Sequence, residues 1–386
     1  MEFDQYFKSV PNTNAFDRNS FKKNQLGAHI KKNVESLKDV DLVLFDVAED
    51  RNSNGNKGTA KSGQFYRDYL YRLHKGDYQI NILDLGTLQA GNTAMDTYFA
   101  VKEVITEIMR HDAIPIIIGG SADLTYANYL TYSENEQTVN LVSIDASFPL
   151  GESDDQVNSE NYLSKILFHQ PNNLFNFSNI GYQSYFVDQD ELRLLKELFF
   201  DNYRLGQITV NIQNAEPILR NADFVSFNLN SIAQQFAPGN KLSSPNGYTA
   251  SQACQLSKYA GMSDKLTSFG LFDFNPELDI QGATAHLVAQ IVWHFVDGYY
   301  NRLNDFPKAL KKEYTKYTVY LESHNENIVF YKSPKSDRWW MEVPYHSNIS
   351  KRYKRHLMLP CTYNEYQIAM EGEFPERWFQ TFQKLK

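Results

Sequence analysis

The apolar positions of the chain fall into short continuous runs separated by stretches of helical spacing. Val40–Val47 is an apolar run of strand length, followed by a loop from Glu49 to Ser62 rich in Asn, Gly and Lys. Gly63–Leu73 repeats its apolar residues at the period of a helix face. Ile80–Leu85 is the next run; it stops at Gly86 and leads into a helix signal from Asn92 to Met109. Ala113–Ile118 then ends in Gly119-Gly120, and Val139–Ile144 ends in Asp145. Leu174–Ile180, Gln207–Val210 and Phe224–Leu229 are shorter runs of the same kind, with a helical stretch at Asp188–Phe199. Lys265–Phe274 reads as a strand, and Thr249–Tyr259 and Thr284–Leu303 read as helices. Strands rich in Val, Ile and Leu that alternate with helices need crossover connections, so the sheet is expected to be mostly parallel with helices on both faces. The predicted class is α/β, in three α/β/α layers. Sites in such sheets gather where strands end at their C-terminal edge.

The two ends of the chain differ from this pattern. Residues 1–40 are polar and rich in Lys and Asn, with a helix expected around Leu26–Leu37. After Asn304 the alternation becomes aromatic and polar: Tyr314–Leu321, a turn at His324–Asn327, Ile328–Lys332, a turn at Ser333–Asp337, and Arg338–Val343. This reads as a small β-meander, followed by a Tyr/Trp-rich tail that closes on a helix near Arg377–Leu385. The expected organisation is an α/β domain over residues 1–304, with an accessory segment, residues 305–386, packed on it.

Composition narrows the function classes. The 386 residues include 38 Lys and Arg and 46 Asp and Glu, for a formal charge of −8. That balance argues against general binding to nucleic acid or anionic membrane. The two cysteines, Cys254 and Cys361, lie more than a hundred residues apart in sequence. This suits a reduced cytoplasmic compartment and leaves no thiolate zinc site. The first residues lack a basic stretch followed by an apolar one, and no apolar run reaches about 18 residues, so neither a signal peptide nor a membrane insertion is expected.

Five strand-end segments carry the candidate chemistry. In order they are Gly119-Gly120-Ser121-Ala122-Asp123, Asp145-Ala146-Ser147-Phe148-Pro149, Ser226-Phe227-Asn228-Leu229-Asn230, Phe236-Ala237-Pro238-Gly239 and Asp273-Phe274-Asn275-Pro276. As an ordered set they resemble the ureohydrolase family of arginases, agmatinases and formimidoylglutamases. That family carries Gly-Gly-Asp-His-Ser, Asp-Ala-His-x-Asp, Ser-Phe-Asp-x-Asp, Ala-Pro-Gly and Glu-x-Asn-Pro in these places. Ile180-Gly181-Tyr182-Gln183 is similar to the Gly-x-Gln strand end of the formimidoylglutamase branch, and the resemblance spans residues 40–300. It implies an arginase-like fold and hydrolysis of guanidino, amidino or formimino groups at two bridged manganese ions, held by two His and four Asp.

Here the ligand positions read otherwise. Ala122 and Ser147 stand where the histidines belong, and Pro149, Asn228 and Asn230 replace three aspartates, which leaves Asp145 alone of the six. Alanine and proline side chains offer no donor atom, and Asn offers a neutral carbonyl. Two divalent ions need several anionic oxygens, so a binuclear manganese centre is not expected to assemble. The expected remnant is a vestigial pocket of Ser121, Ala122, Asp123, Asp145, Ser147, Pro149, Asn228, Asn230 and Asp273, with Asp273 in place of the family Glu that receives a cationic substrate group. A relocated calcium or magnesium site could draw on Asp123, Asp145 and the amide oxygens of Asn228 and Asn230, with Glu152, Asp154 and Asp155 nearby in sequence. Ser121 or Ser147 as a nucleophile would need a histidine base, and no local motif supplies one.

A second group stands apart from the strand ends. Lys335, Arg338, Trp339, Trp340, Lys351, Arg352, Lys354 and Arg355 form the most basic and aromatic stretch and are the candidate partner surface. The reading that follows is a catalytically inactive ureohydrolase-like protein serving as a scaffold, complex component or ligand-sensing module. Its expected partner is a protein, and self-association is open because family members form trimers and hexamers. The alternative is a formimidoylglutamase- or arginase-type hydrolase with unorthodox metal ligation.

Overall fold

The computed structural model describes residues 5–10, 17–32, 37–133, 138–151, 156–307, 313–345 and 351–386. Nine strands form the main sheet: β1 (Phe7–Lys8), β2 (Leu42–Val47), β3 (Ile82–Leu88), β4 (Ile114–Ile118), β5 (Val139–Ile144), β6 (Leu174–Tyr182), β7 (Asp201–Arg204), β8 (Phe224–Asn228) and β9 (Ser268–Phe272). Their spatial order is β1-β3-β2-β4-β9-β8-β5-β6-β7. Only the short edge pair β1–β3 is antiparallel; the other neighbours run parallel, as the crossover pattern requires.

The helices of this region are α1 (Gly63–Leu70), α2 (Ala94–Arg110), α3 (Leu124–Ser133), α4 (Tyr162–Phe168), α5 (Gln189–Glu197), α6 (Leu205–Val210), α7 (Ala215–Arg220), α8 (Ala250–Gly261) and α9 (Ala283–Tyr300). Two apolar cores lie on opposite faces of the sheet. Tyr66, Leu256, Val288 and Phe295 of α1, α8 and α9 cover one face; Tyr98, Ile105, Tyr129 and Leu163 of α2, α3 and α4 cover the other. Successive residues of β2 enter the two cores in turn: Leu42 and Leu44 face one, Val43 and Phe45 the other. Burial on both faces is why these strands read as unbroken apolar runs. The α8–α9 contact is close because Gly261 faces Phe295 O, where a Cβ would come within 2.2 Å.

The elements missed or misread are those where tertiary burial overrides local pattern. Gln207–Val210, read with the strand-like runs, belongs to helix α6, and the strand beside it is the polar Asp201–Arg204 at the sheet edge. Helix α3 is buried along its length, so Thr125, Asn128 and Thr131 sit inside and no amphipathic stripe marks it. The helix expected around Leu26–Leu37 is a 3-10 turn at Leu26–Ala28, with residues 33–36 outside the described set.

Residues 315–361 build a second, antiparallel sheet of β10 (Thr315–Leu321), β11 (Glu326–Lys332), β12 (Trp339–Glu342) and β13 (Met358–Cys361), followed by α10 (Tyr363–Met370) and α11 (Glu376–Leu385). Phe330, Trp339, Met341 and Leu359 pack with Ala369 and Trp378 of the two helices. Trp340 instead lies under the Arg220 guanidinium of α7, 4.4 Å from its ring centroid.

The basic and aromatic stretch is therefore mostly a seam and not an open surface. Trp339 and Trp340 are buried. Arg338 pairs with Glu216 at 3.2 Å and Asp305 at 3.4 Å. Arg352 donates to the Asn172 carbonyl at 2.5 Å, and Arg355 pairs with Asp223. Lys335, Lys351 and Lys354 are the exposed members. The carboxylates of Glu216, Asp223 and Asp305 and the Asn172 carbonyl hold these guanidinium groups in the seam, because a charge leaves water only when it gains a partner.

Candidate functional site

Four neighbouring strands, β4, β9, β8 and β5, bring the predicted segments together at their C-terminal ends. The register places Ile118 beside Leu271, Phe272 beside Asn228, and Phe227 beside Ile144. Gly119 and Gly120 turn the chain away from β4 with φ of +76° and +70°. A Cβ on Gly120 would lie 2.3 Å from Leu124 and 2.9 Å from Glu49 O, so the pair is a tight strand-end turn.

Asp145 is the hub of the cluster and is 2% exposed. Its Oδ2 accepts from Asn228 Nδ2 at 3.1 Å, and its Oδ1 from Asn230 Nδ2 at 2.9 Å. Oδ1 also accepts from the Ser147 amide at 3.0 Å and Ser147 Oγ at 3.4 Å. The amide oxygens are engaged as well: Asn228 Oδ1 takes the Asn230 N–H at 3.0 Å, and Asn230 Oδ1 takes the Ala146 N–H at 3.3 Å. Pro149 accepts the Leu163 N–H through its carbonyl at 3.0 Å, and its ring contributes no polar atom.

Asp123 and Asp273 form the other half. Asp123 accepts from the hydroxyls of Ser121 and Tyr98, and the Tyr98 oxygen accepts from Asn52 at 3.0 Å. Asp273, at a left-handed φ of 69°, accepts the Ala122 N–H at 3.2 Å. Its own carbonyl takes Asn56 Nδ2 at 3.0 Å, which ties the long loop after β2 to the strand ends. Burial pushes Asp145 and Asp123 up to about 6. Burial, then the neighbouring Asp145 and Asp123 charges, pushes Asp273 up to about 7. Among the described residues no lysine or arginine forms an ion pair with any of the three.

Two manganese ions do not fit this donor set. Where the family resemblance implies ligand oxygens, the Asn228 and Asn230 side chains point N–H groups at Asp145, and a cation cannot share that space. Among the described residues the donors expected for a relocated mononuclear site hydrogen-bond within the cluster: Asp123 accepts from Ser121 and Tyr98, and the two amide oxygens accept backbone N–H groups. Among the described residues there is no group of three or more His, Cys, Asp or Glu placed to hold a metal. Glu152, Asp154 and Asp155 lie outside the described residues. The serine hydroxyls donate to carboxylates and face no histidine, so the cluster offers hydrogen bonds and protonatable acids rather than an activated nucleophile. Tyr98 and Asn52 were not foreseen as members; only the fold brings helix α2 and the loop over the strand ends.

A profile of the Arginase family matches residues 40–297. The chain is a member of the arginase family. Among curated arginase-family relatives, formimidoylglutamase of Staphylococcus haemolyticus is 24% identical over 284 residues, spanning 69% of this chain and 89% of that protein. Formimidoylglutamase of Clostridium tetani is 21% identical over 270 residues, or 64% and 78% of the two chains. Among solved structures, formiminoglutamase of Trypanosoma cruzi with Mn²⁺ superimposes with a TM-score of 0.64 at 17% identity, over 70% of this chain and 97% of that one. Formimidoylglutamase of Bacillus subtilis gives 0.65 at 15% identity, over 77% and 96%. The arginase fold is thus present over the main sheet, and β10–β13 lie beyond the residues of the family match.

Proposed function

We propose that this arginase-family protein does not hydrolyse amidine-type groups and works by binding, as a scaffold, complex component or ligand-sensing module with a protein partner in the cytoplasm. The observation that supports this reading is the fourfold donor shell around Asp145. Two amide N–H groups, a backbone N–H and a hydroxyl satisfy the carboxylate in the manner a cation otherwise would. No His, and no Asp beyond Asp145, stands where the family resemblance implies ligands, so the charge to hold two divalent ions is missing there.

The test is elemental analysis of the full-length protein after equilibration with manganese, paired with assays on N-formimidoylglutamate, arginine and agmatine. Substoichiometric metal and no turnover are expected. One or more tightly held manganese ions per chain together with hydrolysis of any of the three would overturn the reading. That outcome would establish the rival, a formimidoylglutamase-type hydrolase with unorthodox ligation, which the relatives' names favour.

A further inference from the structure

Away from the strand ends, three clefts adjoin along one side of the molecule. The first, of about 740 Å³, opens beside the ends of β6 and β7 with Tyr182, Tyr185, Arg204 and Gln252 on its walls. The second, about 370 Å³, shares Tyr182, Arg204 and Gln207 with the first and adds Asp201, Glu376 and Gln380. The third, about 260 Å³, shares Tyr203, Gln207 and Glu376 with the second and adds Pro217, Ile218 and Ile368. Gln207 lines all three, so they meet at α6 and continue along the seam between the main domain and α10–α11.

Each cleft has its own chemistry. Arg204 is the one charged residue lining the first; its Nε donates to Tyr182 OH at 3.2 Å, and it forms no ion pair among the described residues. The second is rich in acceptors. It carries Asp201 and the exposed Glu376, whose Oε1 accepts from Gln380 Nε2 at 3.3 Å. The third has an aliphatic floor of Pro217, Ile218 and Ile368. Strand β7 ends the sheet order, and all of Asp201–Arg204 line the second cleft.

We propose that this groove binds an extended peptide of a partner protein, with a carboxylate at Arg204, a lysine or arginine side chain over Glu376, and an aliphatic side chain in the third cleft. The peptide therefore reads acidic, basic, aliphatic along its length. Opposite charges at successive positions, followed by an aliphatic one, fix its direction as well as its composition. The inference rests on the binding role proposed above for the nature of its partner. The groove shares no residue with the nine strand-end positions, so manganese-dependent hydrolysis would remove that role and leave the groove standing.

The experiment pans a displayed library of random peptides with free C-termini against the full-length protein and measures the enriched peptides by fluorescence anisotropy. Enrichment of the acidic–basic–aliphatic order is expected. Arg204→Glu and Glu376→Lys should each weaken binding by about tenfold or more, with folding checked by circular dichroism because Glu376 opens helix α11 and a lysine there opposes its dipole. A peptide carrying Glu at its basic position should recover affinity for Glu376→Lys. Equal binding to wild type and to the double variant, or enrichment without the pattern, would overturn the proposal. Assaying the same wild-type preparation for hydrolysis separates failure of the groove from failure of the non-catalytic reading.

Discussion

Asp223 and Asp273 are each 1% exposed and stand at opposite edges of the same sheet, one just before β8 and the other just after β9. Asp223 meets Arg355 and, at 3.5 Å, Lys265, and its Oδ2 accepts the Asn140 N–H at 2.7 Å. Asp273 meets one backbone N–H, an amide, and the charges of Asp145 and Asp123. The first carboxylate is compensated by cations and joins the main domain to the C-terminal segment. The second is compensated by nothing charged and drifts toward its neutral form. A strand end whose carboxylates are met by amides and hydroxyls keeps its shape through hydrogen bonds, but it retains a charge problem that the seam does not have.

The comparison is broken most severely by removing one of its sides. Deletion of residues 305–386 strips Arg338 and Arg355 from Glu216 and Asp223 and uncovers Arg220. The truncated chain should melt at least about 10 °C lower, read by circular dichroism; an unchanged midpoint would mean that the seam is not structural. Asp223→Ala leaves Lys265 and Arg355 facing an empty site and should cost about 3–5 kcal/mol in urea denaturation. A loss well under that range would show the charges finding water instead.

Asp273→Asn should act in the opposite direction. An acid whose folded pKa is raised contributes stability that is present below its unfolded value and lost as pH climbs through the folded one. With burial and neighbouring carboxylates pushing Asp273 up to about 7, wild type loses this contribution between mildly acid and neutral pH, and Asn, which tolerates a left-handed φ, does not. The variant's advantage should grow by on the order of 2–4 kcal/mol from pH 4 to pH 8. A gap that stays constant with pH would show the carboxyl to be hydrated. Smallest of all, Lys335→Ala, Lys351→Ala and Lys354→Ala should each stay within about 0.5 kcal/mol of wild type, since these are the exposed members of the basic stretch.

The strand ends were legible because they follow apolar runs buried on both faces, and a two-sided strand has a strong and local signature. The residues missing from them were legible too: Ala122, Ser147, Pro149, Asn228 and Asn230 are chemical facts before any folding. The basic stretch misled for a physical reason. Arg338, Arg352 and Arg355 look solvated in a linear sequence, but Glu216, Asn172 and Asp223, more than a hundred residues away in the chain, help draw them inside.

By itself, then, the sequence determined the parallel sheet, the order of the five strand-end segments and the residue types they carry, since side-chain chemistry and periodicity are local properties. Tertiary structure decided which way the two asparagine amides point, which charges are compensated, and that β7, α6 and α11 together enclose a groove. Those outcomes depend on contacts between segments distant in the chain, where burial sets the cost of every unpaired charge and hydrogen bond.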